Sequence, residues 1–267
     1  MSDNKKTKTR LFVLMTLLGI MIGVWIGKLI YYGKPPSELT VPQKQSLRTA
    51  LDEFYPNHFS GNNEEIIIRH FFKDRRGGFF LDVGSYHYKN GNNTYYLEKY
   101  LGWRGIAIDA NEAFKSGYLK NRPMTRFFNR FVSEKSNESI DFYIVQDRRH
   151  LGMSTAVPSF VSGLKTKKIE MPTIALNDLL SSLDVKKIDF VSIDIELWEP
   201  HALAGFNIEK YKPDLVCIEA HRPVRDEILA YFSTHGYKRL DQYFLFDQKN
   251  WYFVPEDCFY KIFDVSY

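Results

Sequence analysis

Cysteine is scarce: Cys217 and Cys258 are the only two in 267 residues. Neither lies in a CxxC or Cys/His spacing, which excludes a disulfide framework and a thiolate metal centre. Cys217 sits inside an apolar run and reads as a buried, inert thiol. Runs of one charge sign are missing as well. The formal net charge of +4 is spread along the chain, so there is no basic stripe and no nucleic-acid partner is expected. Internal repeats and low-complexity tracts are absent. So is G-x-G-x-x-G, the run that bares backbone amides to a pyrophosphate. What remains is 44% hydrophobic and 16% aromatic, ample for one large domain or a domain with an appendage.

One long apolar run is present, at the N-terminus. Lys5, Lys6, Lys8 and Arg10 make residues 1–10 a basic leader. Leu11 to Gly27 follows, ~26 Å long as a helix, and continuing through Tyr32 brings it to bilayer thickness. Trp25, Tyr31 and Tyr32 suit the interface, and Lys28 can snorkel. Residues 11–32 are therefore expected to be an uncleaved single-pass membrane anchor. A secretory leader would want a better cleavage site than Tyr31-Tyr32-Gly33-Lys34-Pro35. A buried core helix would not be apolar all round. The side of the membrane stays open, because Lys28, Lys34, Lys44 and Arg48 dilute the basic asymmetry. Residues 33–60, with Pro35, Pro36, Pro42 and Pro56, read as a linker, and residues 61–267 as the folded domain.

Within that domain short apolar runs alternate with helical patterns. Strands are expected at 79–83, 105–109, 127–132, 142–145, 190–194, 215–219, 237–240, 243–246 and 251–254. Helices are expected at 64–72, 94–100, 112–120, 176–183, 200–203 and 224–235. Near-continuously apolar strands between helices predict an α/β fold with a mainly parallel sheet covered on both faces, ending in an antiparallel C-terminal edge. Ligands in such sheets bind beyond the carboxyl ends of the strands. Asp82, Asp109, Asp194 and Glu219 all stand at those ends.

The stretch Asp82-Val83-Gly84-Ser85 places a glycine directly after a strand, where the backbone can approach a ligand and following amides can donate to it. Tyr86, His87 and Tyr88 make the loop too bulky for a pyrophosphate, but roomy enough for a cofactor carrying an amino-acid group. Asp109, 27 residues after Asp82, is placed to hold a ribose diol. Tyr95 and Lys99 form Y-x-x-x-K, but too close to the loop for a dehydrogenase pair; they are expected to pack and solvate the first helix. Asp194 and Glu196, at positions i and i+2, are expected on one face of a strand end. Such a pair can bind a divalent metal, hold an ammonium group or remove a hydroxyl proton. A D-x-D-like pair behind an anchor also fits a metal-dependent glycosyltransferase. His221 is a further candidate base, and Gly152-Met153-Ser154-Thr155, in the irregular segment 146–168, a candidate lid. No metal ligands are assigned from spacing.

The order Arg75-Arg76-Gly77-Gly78-Phe79-Phe80-Leu81-Asp82-Val83-Gly84, then Asn93-Thr94-Tyr95-Tyr96-Leu97-Glu98 and Leu101-Gly102-Trp103-Arg104-Gly105, resembles the FkbM-type methyltransferases. So does the distal block Asp189 to Glu196, with Ala202 to Phe206 and Leu215 to His221. The resemblance covers roughly residues 61–256. It implies a class I methyltransferase fold, Rossmann-like, using S-adenosylmethionine to methylate hydroxyl oxygens of sugars or natural products. It assigns Asp82, Gly84 and Ser85 to the cofactor loop, Asp109 to the ribose, and Asp194 and Glu196 to a D-x-E element. Asp194, Glu196 and His221 are the candidate catalytic residues. Two departures stand out. The loop commonly continues G-A-N or G-A-x-D-G and here reads Gly84-Ser85-Tyr86-His87; the residue after D-x-E is often glycine and here is Leu197. The partners this reading implies are a small-molecule or glycan acceptor and, through the N-terminal helix, a membrane; a catalytically inactive tethered binding module is the third alternative.

Overall fold

The structure, a computed structural model, describes residues 58–258 with Arg148 excepted. The expected basic leader, anchor and linker up to residue 57 lie outside the described residues. Among the described residues no helix is long and apolar enough to cross a membrane.

In chain order the regular elements are α1 (Glu64–Phe72), β1 (Phe79–Val83), α2 (Tyr95–Leu101), β2 (Arg104–Asp109), α3 (Lys115–Asn121), β3 (Thr125–Asn129), β4 (Phe131–Val132), β5 (Ser139–Val145), β6 (Thr166–Ile174), α4 (Leu176–Ser182), β7 (Phe190–Ile193), α5 (Glu199–Ala204), α6 (Ile208–Tyr211), β8 (Leu215–Glu219), α7 (Arg225–Thr234), β9 (Tyr237–Arg239) and β10 (Asn250–Pro255). Seven strands form the main sheet in the order β3-β2-β1-β7-β8-β10-β9. The pairs β3-β2, β2-β1, β1-β7 and β7-β8 are parallel. β10 runs antiparallel to both β8 and β9, which gives the expected antiparallel edge.

The apolar strands are explained by burial on both faces. Side chains alternate across a strand: Leu81 and Val83 join Val191, Ile193, Val216 and Ile218 in one core, beneath Leu179 of α4, Leu203 of α5 and Phe232 of α7. Phe80, Phe190, Leu215 and Cys217 point the other way, against Ile68 and Phe72 of α1 and Leu97 of α2. Each such large side chain, fully buried, contributes about 1.5–3 kcal/mol. The thiol of Cys217 is buried as expected.

Three expectations need correction. Residues 127–132 are not one strand: the chain breaks at Arg130, so β3 pairs with β2 while β4 joins a second sheet of order β4-β6-β5. Asn129 enforces the break by donating from Nδ2 to the carbonyls of Asp109 and Ala110 (both 2.9 Å), which stitches the end of β3 to the end of β2. The expected strand at 243–246 is instead part of a 3₁₀ helix, Asp241–Leu245. The N–H groups of Phe246 and Asp247 both turn back to the Tyr243 carbonyl, and the Tyr243 hydroxyl reaches His70 Nδ1 at 3.1 Å. Finally, β6 had no counterpart in the sequence reading. Most of its side chains are not buried, so it carries no continuous apolar run to betray it.

Strand order reverses between β1 and β7, where successive connections leave in opposite directions. A crevice is expected at that switch point, outside the carboxyl ends of the strands.

Candidate active site

A cavity of about 410 Å³ lies there. Asp82, Gly84, Ser85, Asp109, Asp194, Glu196 and Glu219 all line it, so six of the seven residues singled out from the sequence, with Glu219, meet at one place. His221, the seventh, is not among its lining residues and meets it through two carboxylates described below.

The loop after β1 is built differently from the expectation. Its first amides are used within the protein: the N–H groups of Gly84 and Ser85 both donate to the Ile108 carbonyl (2.9 and 3.1 Å), and that of Tyr86 donates to Asp109 Oδ2 (2.8 Å). The helix that follows begins at Tyr95, close to the expected 94–100. Gly84 has φ of 76°, and a Cβ on it would lie 1.7 Å from the Asp194 carbonyl oxygen. Its missing side chain admits the chain leaving β7. Ser85 is buried, and its Oγ has no hydrogen-bond partner.

Asp82 anchors this loop from below. Its Oδ2 accepts from Thr94 Oγ1 (2.8 Å) and Asn92 Nδ2 (3.3 Å). Burial pushes its carboxyl up to about 6, with the Thr94 bond and nearby Arg122 opposing. Arg122 is itself buried and paired with Glu98, and donates to the Thr94 carbonyl (3.2 Å). The Asn93-to-Glu98 block quoted above is thus the scaffold of the loop. Tyr95 stacks edge-on against Phe59 at 4.6 Å, while Lys99 is exposed; neither lines the cavity.

Asp109 ends β2 with its carboxylate held on both oxygens, Oδ2 by Tyr86 N–H and Oδ1 by Asn111 N–H (both 2.8 Å). Each oxygen keeps a lone pair for another donor. Burial raises this carboxyl to about 6, against the two N–H bonds that lower it.

Asp194 and Glu196 do not share a strand face, because neither lies on the strand. β7 ends at Ile193, and the chain enters a left-handed turn with φ of 55° at Glu196 and 77° at Leu197. That conformation strains any residue but glycine, which accounts for the glycine common after D-x-E and makes Leu197 an exception here. The turn is held by its neighbours: Thr155 Oγ1 donates to the Glu196 carbonyl (2.7 Å), and Ile195 N–H donates to Glu199 Oε1 (3.0 Å). Gly152, Met153 and Ser154 line the cavity beside it, so the candidate lid forms a wall of the site.

Acid crowds this end. Burial first, then Glu219 and Glu196, raise Asp194 well above the ordinary carboxylate range. Glu199, a fully buried carboxyl that the sequence reading did not single out, is pushed up to about 8, chiefly by burial. His221 Nε2 lies 3.2 Å from Glu196 Oε2 and 3.1 Å from Glu219 Oε2. Those two partners raise the imidazole to about 10, so it is an imidazolium at neutral pH and has no lone pair with which to take a proton.

The arrangement offers a diol acceptor at Asp109, an apolar wall that includes Ile108 and Phe114, and a carboxylate cluster at Asp194 to Glu219. No curated protein matches the chain. The model of the methyltransferase FkbM domain matches residues 82–239, from the first rim carboxylate to β9. The chain belongs to the FkbM methyltransferase family.

Proposed function

We propose that the protein transfers a methyl group from S-adenosylmethionine to a hydroxyl oxygen of a sugar, glycan or natural-product acceptor, and that residues 11–32 tether it to a membrane. The observation that carries this reading is the shared cavity, with Asp109 at one end and the Asp194–Glu196–Glu219 cluster at the other. The residues fit the cofactor. Asp109 keeps lone pairs for two ribose hydroxyls, and the orphaned Ser85 Oγ seeks a partner in the same cavity. The carboxylates complement a ligand that carries sulfonium and ammonium charges. When bound, the cofactor supplies an electrophilic methyl group.

The chain's own residues supply position and a proton acceptor. Glu196, whose side chain is 12% exposed, lines the cavity and is raised by burial, which brings its basicity toward neutrality. His221, held charged, orients that carboxylate. Asp194, raised further, supports a proton of its own and orients either the acceptor or the cofactor's amino group. Family membership removes the main support for a glycosyltransferase. The carboxylate-rich cavity argues for turnover over an inactive binding module.

Incubating the protein with methyl-labelled S-adenosylmethionine and a panel of sugars and sugar alcohols tests the reading. Label should appear in a hydroxyl-bearing acceptor, and Glu196→Gln should slow transfer by about 10²–10⁴-fold with cofactor affinity unchanged. Equal rates for the variant and the parent would end the assignment of Glu196.

A further inference from the structure

Glu196, Glu219 and His221 place three metal-ligating atoms within 4.8 Å of one another. They come from neighbouring strands: Glu196 from the turn after β7, Glu219 from the last position of β8, His221 two residues later. Both backbones are fixed. Ile193 and Ile218 are paired in register, Ala220 N–H donates to the Lys249 carbonyl (2.9 Å) beside β10, and Thr155 pins the Glu196 carbonyl. The imidazole is wedged edge-on against Phe160 at 5.1 Å.

The protein alone leaves this cluster unsatisfied. His221 Nε2 faces two carboxylates but carries at most one proton, and its hydrogen bond goes to Glu196 Oε2. Glu219 Oε2 is buried, on a side chain only 7% exposed; it closes no hydrogen bond of good geometry and has beside it only the imidazole it shares with Glu196 and the Asp194 carboxyl. A buried carboxylate oxygen left in that condition is costly. It points into the cluster, 3.1 Å from the imidazole nitrogen.

We infer that Glu196 Oε2, Glu219 Oε2 and His221 Nε2 bind one divalent transition-metal ion on the wall of the cavity. The spacing fits. Neighbouring ligands at about 2.0–2.2 Å from a metal stand about 3–3.5 Å apart in tetrahedral or octahedral geometry; both carboxylate-to-imidazole distances are in that range, and the two carboxylate oxygens are within 4.8 Å of each other. One nitrogen and two carboxylate oxygens suit manganese or zinc better than calcium. Binding replaces the single shared proton with a charge that satisfies both carboxylates at once. Because Glu196 and Glu219 also line the cavity, the ion would sit on its wall, where it would lower the pKa of an acceptor hydroxyl bound to it. The inference does not depend on the proposed function; with the ion bound His221 is a neutral ligand, and the ion takes over from the imidazolium in orienting Glu196.

Manganese binding to the purified full-length protein, with neither cofactor nor acceptor present, tests this directly. Electron paramagnetic resonance of free Mn²⁺ should report one bound equivalent, and the bound ion should show a ¹⁴N coupling from the imidazole. Glu219→Gln and His221→Ala should each weaken binding at least tenfold, and His221→Ala should abolish the ¹⁴N coupling. Absence of binding at millimolar Mn²⁺ would overturn the inference, as would parental affinity in both variants. A bound ion without ¹⁴N coupling in the unmutated protein would overturn it too, and that reading needs no variant to fold. Because no methyl donor enters the experiment, either result leaves the methyltransferase reading to its own test.

Discussion

His221 is the one strongly shifted group at this site that is cationic, and its effect on stability has a definite sign. Its pKa is raised from 6.5 to about 10 in the folded chain. The stabilisation is therefore fully present below about pH 6.5 and is lost as pH rises through about 10. The imidazole side chain is 32% exposed, so solvent screening reduces the effect to on the order of 1–2 kcal/mol. Chemical denaturation of the metal-free protein at a series of pH values should show that loss in the parent protein and a flatter profile in His221→Asn. An identical slope in both would show that the two carboxylates do not hold the imidazolium. The residue was legible in the sequence as a titratable group at a strand end. That it is held charged was not, because this depends on Glu196 and Glu219 arriving from two different strands.

The turn that joins β7 to α5 and the loop after β1 form one packed unit, and Gly84 is where they touch. A methyl group there would meet the Asp194 carbonyl oxygen at 1.7 Å, at a φ that L side chains rarely adopt. Gly84→Ala is expected to cost about 3 kcal/mol or more in stability, from overpacking and the left-handed backbone together. A thermal melt within a degree of the parent would contradict this. Sequence pattern marked the glycine and its place after a strand, but not its contact with the Asp194 carbonyl, since nothing local to residues 79–85 reports on residue 194. The strands buried on both faces, β1, β2, β7 and β8, were legible as apolar runs. β6 and the 3₁₀ helix at Asp241–Leu245 were not, the first because it is half exposed, the second because an aromatic-rich run is compatible with either state.

On the scale of the whole molecule the chain combines a catalytic fold with an N-terminal segment of a different composition. The basic leader, the long apolar run and the weak cleavage site predict that the first 32 residues stay attached and hold the protein in membranes. Carbonate extraction followed by N-terminal sequencing should find an intact chain in the pellet; a soluble chain starting after Tyr32 would contradict it. The convergence of the rim carboxylates was legible because parallel pairing sends the carboxyl ends of β1, β2, β7 and β8 to one side. Their partners, such as the bonds from Tyr86 and Asn111 to Asp109, had to be seen in three dimensions. Those bonds fix the carboxylate on which the central claim rests. Calorimetry of the full-length protein with S-adenosylmethionine, against a UDP-sugar with manganese, tests that claim most directly. Saturable binding of S-adenosylmethionine alone, weakened by about 1.5–3 kcal/mol in Asp109→Ala through the loss of charge-assisted bonds to two hydroxyls, is the predicted result. Parental affinity in Asp109→Ala, or binding of the UDP-sugar with manganese in place of S-adenosylmethionine, would contradict it.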